Sequence, residues 1–176
     1  MSVFFTSDTH FGHKNIIEYC NRPFKYTGEM NTALIKNWNN VVRKNDIVYH
    51  LGDFSIGLGQ ENIADIVRLL NGSICLIKGN HDQKSNSYYR KCGFKEVYDH
   101  PIILNDKFLI LSHEPMPFVA GSKIPYVNVF GHVHDSEMFD TYRKGSICVC
   151  VERHDYTPIS FEDMSDSYYN AMPGPC

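Results

Sequence analysis

Five short polar segments, each directly after an apolar run, constrain the fold of this chain more than any other feature. They carry carboxylate, amide and imidazole side chains, and in chain order they are Asp8-Thr9-His10, Gly52-Asp53, Gly79-Asn80-His81-Asp82, Ser112-His113-Glu114 and Gly131-His132-Val133-His134. An apolar run that ends in polar residues is typical of a buried strand whose carboxyl end opens into a crevice. We therefore expect several strands to bring these side chains to one point.

The first half of the chain alternates between predicted strands and helices. Met30, Leu34 and Trp38 belong to an apolar stripe with spacings of three and four, which predicts an amphipathic helix packed on a sheet. This order is typical of parallel strands connected by helices. Helical patterns also predict a short helix from Lys14 to Cys20 and a helix over 61–70 that stops at Asn71-Gly72, while short apolar runs predict strands over 3–7, 47–51 and 74–78.

The second half of the chain favours a meander. We expect two sheets face to face with helices outside, parallel in the first half of the chain and antiparallel in the second. One domain is expected over 1–164, with a loosely ordered tail over 165–176. The predicted elements are antiparallel strands over 94–98, 101–104 and 108–111 with a turn at Asn105-Asp106, buried strands over 127–130 and 146–151, and a last helical turn over 158–162.

Composition narrows the class of protein. A chain of 176 residues with 43% hydrophobic and 21% charged residues is typical of one globular domain. Its net charge of -3 provides no basic surface field, so nucleic acid is expected only as a substrate. No apolar stretch reaches about 18 residues, and the first residues do not resemble a signal peptide. We expect a cytoplasmic protein with no membrane partner, and the oligomeric state stays open.

The six cysteines include no Cys-x-x-Cys pair, which favours small buried hydrophobic side chains over a thiolate zinc site. Cys148 and Cys150 are an exception to consider. Alternate residues of a strand share one face, so binding of an additional soft ion by these two thiols is an alternative to simple burial.

The ligand types in the five segments predict a pair of metal ions. Asp8 and His10 are two residues apart, so both side chains can turn to the same side and bind one ion, and His132 and His134 repeat that spacing. The Asp53 carboxylate has two oxygens and is suited to bridge two ions about 3.5 to 4 Å apart. Asn80 adds a neutral oxygen.

Charge favours a catalytic metal site over a structural one. Two divalent ions exceed the charge of the carboxylates Asp8 and Asp53 by about two units, which is suited to a bridging hydroxide and to phosphate. A structural zinc site instead uses about four closed ligands, often thiolates. Mixed nitrogen and oxygen donors suit two divalent transition metal ions, with manganese expected and iron, nickel, cobalt or zinc as alternatives.

The ordered pattern Asp-x-His, Gly-Asp, Gly-Asn-His-Asp, His and Gly-His-x-His, from Asp8 to His134, resembles the calcineurin-like metallophosphoesterase superfamily. The resemblance implies an α/β fold, a four-layer αββα sandwich of two mixed sheets flanked by helices. It implies that one metal takes Asp8, His10, Asp53 and His134, and that the other takes Asp53, Asn80, His113 and His132. It also implies that His81 contacts the phosphate and protonates the leaving oxygen, with Asp82 as its orienting partner.

These residues predict hydrolysis of a phosphate ester by in-line attack of a metal-bridging hydroxide, without a covalent phosphoenzyme. His13 and Arg22 are near enough to the first segment in sequence to be candidates for contact with substrate, whereas His50 is expected in the core or behind the ligands. A phosphodiester such as a cyclic nucleotide or a nucleic-acid end is favoured. The alternatives are a phosphomonoesterase, a nuclease with a macromolecular partner, and a noncatalytic metal-binding scaffold.

Overall fold

Two β-sheets pack face to face in the computed structural model, which describes residues 1–116, 126–136 and 146–164. Buried Phe5, Leu51 and Ile77 of the first sheet region share one apolar cluster with residues of the second sheet such as Leu111 and Val129. A separate cluster fills the other face of the first sheet and is shared with the helices. The expected pair of mixed sheets with flanking helices is confirmed.

The first sheet has five strands in the order β4-β3-β2-β1-β9, and the second has four in the order β5-β6-β7-β8. Strand β9 is antiparallel to β1, and β5 is antiparallel to β6, while the other described pairs are parallel. The strands are β1 Val3–Thr6, β2 Ile47–His50, β3 Ser73–Ile77, β4 Glu96–Tyr98, β5 Ile102–Leu104, β6 Leu109–Leu111, β7 Val127–Phe130, β8 Ser146–Cys148 and β9 Ile159–Ser160.

The helices of the described residues lie against the first sheet. In α2 the buried stripe is Met30, Leu34 and Trp38, and the Trp38 indole also donates a hydrogen bond to the Asn71 carbonyl oxygen at 2.9 Å. These contacts explain why the apolar periodicity predicted α2 correctly. Within this part of the chain, no helix is long and apolar enough to cross a membrane. The helices are α1 Asn15–Tyr19, α2 Thr27–Val41, α3 Gln60–Leu69 and α4 Asn86–Lys91, with 3-10 turns at Asn105–Lys107 and Val151–His154.

The prediction of an antiparallel second half is wrong for most strands. Strand β4 joins β3 in parallel register, and β6, β7 and β8 run parallel to one another. The helical turn predicted to open over 158–162 begins later, at 161–164, where the Met164 amide donates to the Ser160 carbonyl oxygen at 3.1 Å. Before it, β9 pairs with the free edge of β1, and the Phe161 amide donates to the Val3 carbonyl oxygen at 2.8 Å. Pairing at a sheet edge satisfies backbone hydrogen-bonding groups, and local sequence patterns do not reveal which edge is free.

The predicted strand over 146–151 is interrupted because the chain crosses from one sheet to the other. The Val149 amide donates to Phe130 of the second sheet at 2.8 Å, whereas the Val151 amide donates to Ser7, beyond β1, at 3.2 Å. Cys150 forms an isolated bridge with Ser7. This crossing brings the ends of the two sheets together. The predicted loose tail over 165–176 lies outside the described residues.

Replacing Phe5 by alanine should reveal the strength of the packing between the sheets. Phe5 is fully buried there, and its ring centroid lies 6.0 Å from that of Tyr49. We expect Phe5→Ala to lower the free energy of unfolding by about 3–5 kcal/mol, measured by urea denaturation. The control Ile103→Ala changes a side chain that is 56% exposed and should cost far less. Equal losses for the two variants would contradict the assignment of Phe5 to the core.

Candidate metal centre

The five polar segments converge where the carboxyl ends of strands from both sheets meet. Asp8 follows β1, Asp53 follows β2 and Asn80 follows β3 in the first sheet; His113 follows β6 and His132 follows β7 in the second. The side chains of these segments form two clusters of ligand atoms, one of Asp8, His10 and His134, the other of Asp8, Asp53 and His113, and His134 also forms a third with Cys20 and Glu152. The sequence argument that placed these residues at one edge is consistent with this geometry.

We call Asp8, His10, Asp53 and His134 the first ligand group, and it surrounds the His10 imidazole. His10 Nε2 lies 3.8 Å from Asp8 Oδ1 and 3.6 Å from Asp53 Oδ2. His134 Nε2 lies 3.8 Å from the same Asp8 oxygen. Two ligand atoms bound about 2.1 Å from one ion are at most about 4.2 Å apart, so these separations fit a shared cation.

We call Asp53, Asn80, His113 and His132 the second ligand group, which shares Asp53 with the first. His113 Nε2 lies 3.7 Å from Asp53 Oδ2, and it lies 2.9 Å from Asn80 Oδ1 and 3.2 Å from His132 Nδ1. The His132 nitrogen is also 3.1 Å from Asn80 Oδ1. Asp53 Oδ2 therefore stands between the two groups, which is the position required of a bridging carboxylate.

Hydrogen-bond accounting shows that the donor set fits a cation. Asp8 Oδ1 and His10 Nε2 are buried and have no hydrogen-bond partner in the described part of the chain. His113 Nδ1 lies 2.7 Å from the Leu51 carbonyl oxygen and donates to it, so Nε2 is the ring nitrogen that faces Asn80 Oδ1, at 2.9 Å. Buried polar atoms without a partner are unfavourable, and a cation held between Asp8 Oδ1 and His10 Nε2 would satisfy both.

Electrostatics agrees with this interpretation. Burial by itself raises the pKa of Asp8, but the imidazoles of His10, His113 and His134 hold that pKa well below its ordinary value. Burial lowers the pKa of His10. A carboxylate that stays ionised beside a neutral imidazole is the ligand pair that a divalent transition metal prefers.

The backbone at the site is held in a rarely used conformation. Left-handed backbone is uncommon for residues other than glycine, and its presence here fits a site in which surrounding contacts fix each ligand. The Asp8 amide, for example, donates to the Gly52 carbonyl oxygen at 3.0 Å, and the His132 amide donates to Asp8 Oδ2 at 2.8 Å. Positive φ values occur at Asp8 (58°), His10 (51°), Asp53 (56°), His132 (71°) and His134 (50°).

Two glycines permit this close approach. Gly52 has a φ of +92°, and a Cβ atom there would collide with the His113 ring. A Cβ atom at Gly131 would come within 2.5 Å of both Asp8 Oδ2 and Ser7 Oγ. Both positions therefore require the absence of a side chain.

Glu152 is a site residue that the sequence argument missed. Its Oε1 accepts a hydrogen bond from His134 Nδ1 at 2.9 Å, which orients the opposite ring nitrogen toward Asp8. Burial alone lowers the pKa of His134, but Cys20, Glu152 and Asp8 raise it to about 10. Glu152 lies in the 3-10 turn after the crossing segment and belongs to no ligand motif, so no local signal marks it.

Arg22 is buried, and its donors are directed to the protein interior. Its guanidinium donates to Glu152 Oε1 at 2.9 and 2.6 Å and to the carbonyl oxygens of Thr9 at 2.9 Å and Asp8 at 2.7 Å. This corrects the expectation that Arg22 contacts substrate. The charge of Arg22 balances Glu152 and fixes the loop that carries Asp8.

His81, Asp82 and His13 lie beside the ligands. The His81 side chain is 45% exposed, with Nε2 3.9 Å from Asp53 Oδ2, and the His13 ring centroid is 5.4 Å from that of His10. Asp82 differs from the expected partner of the His81 ring: its carboxylate accepts from the amides of Asp53 at 2.7 Å and Gly79 at 3.0 Å. Burial raises the pKa of Asp82 to about 6 despite these bonds.

His50, Thr9 and Cys150 lie behind the ligands. His50 is fully buried, and this burial lowers its pKa to about 3. Its Nε2 donates a hydrogen bond to Thr9 Oγ1 at 3.0 Å. Cys150 Sγ is 3.4 Å from Cys148 Sγ and 3.3 Å from Asp8 Oδ2. The two thiols thus share a face as their spacing predicts, and the inner one packs against a ligand carboxylate.

Removing the charge of Glu152 should weaken the first ligand group selectively. We expect Glu152→Gln to lower the affinity for one of two bound ions by about 10- to 100-fold, because His134 loses its orienting carboxylate. Calorimetric titration of the metal-free protein with Mn²⁺ measures this. Glu61→Gln, an exposed change in α3, is the matched control. Two ions bound at wild-type affinity in Glu152→Gln would show that the carboxylate does not act on the site.

Comparison with known proteins agrees with the geometry. An uncharacterised protein of Methanocaldococcus jannaschii is 40% identical over 165 residues, 91% of this chain and 87% of that protein. The gene 66 protein of Mycobacterium phage L5 is 40% identical over 83 residues, 46% of this chain and 40% of that protein. A protein of unknown function from Aquifex aeolicus has a solved structure with a TM-score of 0.73 at 29% identity, covering 94% of this chain and 98% of that one. The family model described as calcineurin-like phosphoesterase matches residues 1–156, and the chain therefore belongs to that family.

Proposed function

We propose that this protein is a phosphodiesterase that works with two divalent transition metal ions, manganese first among them. The observation that carries the proposal is the pair of ligand groups joined at Asp53, with the buried Asp8 Oδ1 and His10 Nε2 left without hydrogen-bond partners in the described part of the chain. Asp8, His10, Asp53 and His134 would hold one ion, and Asp53, Asn80, His113 and His132 the other. When bound, the ions supply positive charge for the phosphate oxygens and activate water for attack on phosphorus.

His81 is suited to protonate the departing alcohol. Its side chain is at the open side of the ligand groups, and its main-chain amide donates to Asp53 Oδ1 at 2.9 Å, which fixes the turn relative to the bridging carboxylate. Imidazole is the side chain most often used for proton transfer near neutral pH. Asp82 serves this step indirectly, because its hydrogen bonds to the Asp53 and Gly79 amides position the turn that carries His81.

Two cavities favour a diester over a monoester. One, of about 350 Å³, is lined by Asn80 and His113, and the other, of about 270 Å³, is lined by His81. Both cavities therefore adjoin the turn over 79–82, the larger at Asn80 and the smaller at His81. The larger cavity meets the proposed ligands, and the smaller one reaches the site through His81. A diester has two substituents on phosphorus and a monoester has one, so space on both sides of this turn suits the diester.

A panel of esters tests the activity directly. We expect the manganese-loaded protein to hydrolyse bis-p-nitrophenyl phosphate and 2′,3′-cyclic nucleotides faster than p-nitrophenyl phosphate. Faster hydrolysis of the monoester would favour a phosphomonoesterase. Two bound ions without hydrolysis of any ester would favour the noncatalytic scaffold.

Removing the His81 imidazole should slow hydrolysis to an extent that depends on the leaving group of the ester. For esters with an alcohol leaving group we expect His81→Ala to lower kcat by about 10²–10⁴-fold, whereas p-nitrophenolate leaves without a proton and should be affected less. Metal content, measured by mass spectrometry, should stay at two ions. Equal losses of kcat for both classes of ester would show that His81 is not the acid. The variant His81→Asn is the control, because it removes the imidazole without truncating the side chain to a methyl group.

Neutralising Asp53 should disrupt both ligand groups. We expect Asp53→Asn to lose at least one of the two ions and most of the activity, because an amide has one oxygen donor and no charge to offer two cations. Metal content after dialysis measures the loss. Asp65→Asn on α3, where the side chain is 61% exposed, is the matched control and should retain both ions. Full occupancy in Asp53→Asn would contradict the bridging assignment.

A further inference from the structure

The larger cavity beside the metal centre has the features of a ligand pocket. We call it the base pocket, and its volume of about 350 Å³ is within the range of about 300–1,000 Å³ found for small-molecule sites. It is lined on one side by the ligands Asn80 and His113 and elsewhere by Ile77, Pro101, Pro115 and Met116. A phosphate held by the second ligand group would therefore have one ester substituent inside this pocket.

The wall formed by Pro115 and Met116 is fixed by a buried asparagine. Asn128 Oδ1 accepts a hydrogen bond from the Met116 amide at 2.7 Å, and Asn128 Nδ2 donates to Ser112 Oγ at 2.9 Å. Ser112 Oγ donates in turn to the Glu114 carbonyl oxygen at 2.6 Å. Asn128 is fully buried. A wall held in this way is preorganised, so a ligand does not have to order it on binding.

The polar groups of the pocket disfavour a second anionic group. Lys78 lines the pocket, and its Nζ donates a hydrogen bond to Asp99 Oδ1 at 2.8 Å. Asp99 Oδ2 also accepts from Asn86 Nδ2 at 2.6 Å. Glu114 adds a second carboxylate. His100 completes the polar lining with an imidazole that can donate to or accept from a ligand. Two carboxylates against one ammonium group favour a neutral group that carries hydrogen-bond donors over a second phosphate.

The apolar walls favour a flat group over a polyol. Proline rings and a methionine thioether offer apolar surface, and sulfur makes favourable contacts with aromatic rings. A sugar would leave its hydroxyl groups against these walls without partners, which costs free energy. A heteroaromatic base with amino groups satisfies both the walls and the carboxylates.

We propose that the base pocket binds the nucleobase of a nucleoside phosphate ester, so that the substrates of this protein are nucleotides. The proposal deepens the proposed function and rests on it for the position of the phosphate. The base occupies the space between Met116 and Pro101, the sugar spans the distance to Asn80 and His113, and the phosphate lies at the ligand groups.

A pair of ligands that differ only by the base tests the proposal without turnover. Adenosine 5′-monophosphate and ribose 5-phosphate have the same sugar and phosphate. Calorimetric titration of the manganese-loaded protein should show at least about 10-fold tighter binding of the nucleotide, since 10-fold corresponds to about 1.4 kcal/mol. Equal affinities, or no binding of the nucleotide at millimolar concentration, would overturn the proposal.

A charge placed in the wall should remove this difference. We expect Met116→Glu to weaken adenosine 5′-monophosphate to the affinity of ribose 5-phosphate, with ribose 5-phosphate itself unchanged. Ile103→Glu, the same kind of change at an exposed position of β5, should leave both affinities unchanged. A preserved preference for the nucleotide in Met116→Glu would place the base elsewhere. If Met116→Glu does not fold, the comparison of the two ligands on the unaltered protein decides.

The two proposals fail in different ways. A protein that hydrolyses bis-p-nitrophenyl phosphate but binds both ligands equally retains its proposed function and lacks the base pocket. A protein that prefers the nucleotide but hydrolyses no ester retains the base pocket and lacks the proposed function.

Discussion

The Asp8 carboxylate is the point on which both sheets and the metal centre depend. Asp8 follows β1 of the first sheet, yet its Oδ2 accepts a hydrogen bond from the His132 amide, which follows β7 of the second sheet, and its Oδ1 faces His10 and His134. A buried carboxylate is costly unless its oxygens are compensated, and here the compensation comes from distant parts of the chain. The ligand geometry is therefore correct only when the two sheets pack in one register. Fold and site share the same contacts.

The chain maintains this geometry at a cost in backbone strain. Five ligands have left-handed backbone, and strain of this kind costs of order 1–3 kcal/mol at each residue. Gly52 and Gly131 give the space that brings the loops together, while the buried ion pair of Arg22 and Glu152 holds the loop that carries Asp8. Cations bound at the two ligand groups would satisfy the buried polar atoms that lack a partner, so they would also stabilise the fold.

The sequence predicted the convergence of the polar segments better than it predicted the direction of the strands. Asp8, Asp53 and Asn80 follow apolar runs, and because parallel strands end at one edge of a sheet, their convergence follows from pattern alone. The direction of β4 and the pairing of β9 depend on which sheet edge is free, and this is a property of the folded chain. Glu152 and Arg22 belong to no motif and are 130 positions apart in the chain, so their roles appear only when the chain between them is folded. Arg22 was expected beside substrate because proximity in sequence does not tell which way a long side chain points.

The crossing segment at Cys150 has a consequence for the protein during translation. Cys150 Sγ packs 3.3 Å from Asp8 Oδ2, although 142 residues separate them. At about 5–20 residues per second, a ribosome needs about 7–28 s to make that interval. Throughout this time the nascent chain contains Asp8 without Cys150 and Glu152, and the edge of β1 without β9. The first ligand group is therefore completed late in translation, when His134 and then its partner Glu152 have been made, rather than when Asp8 and His10 emerge.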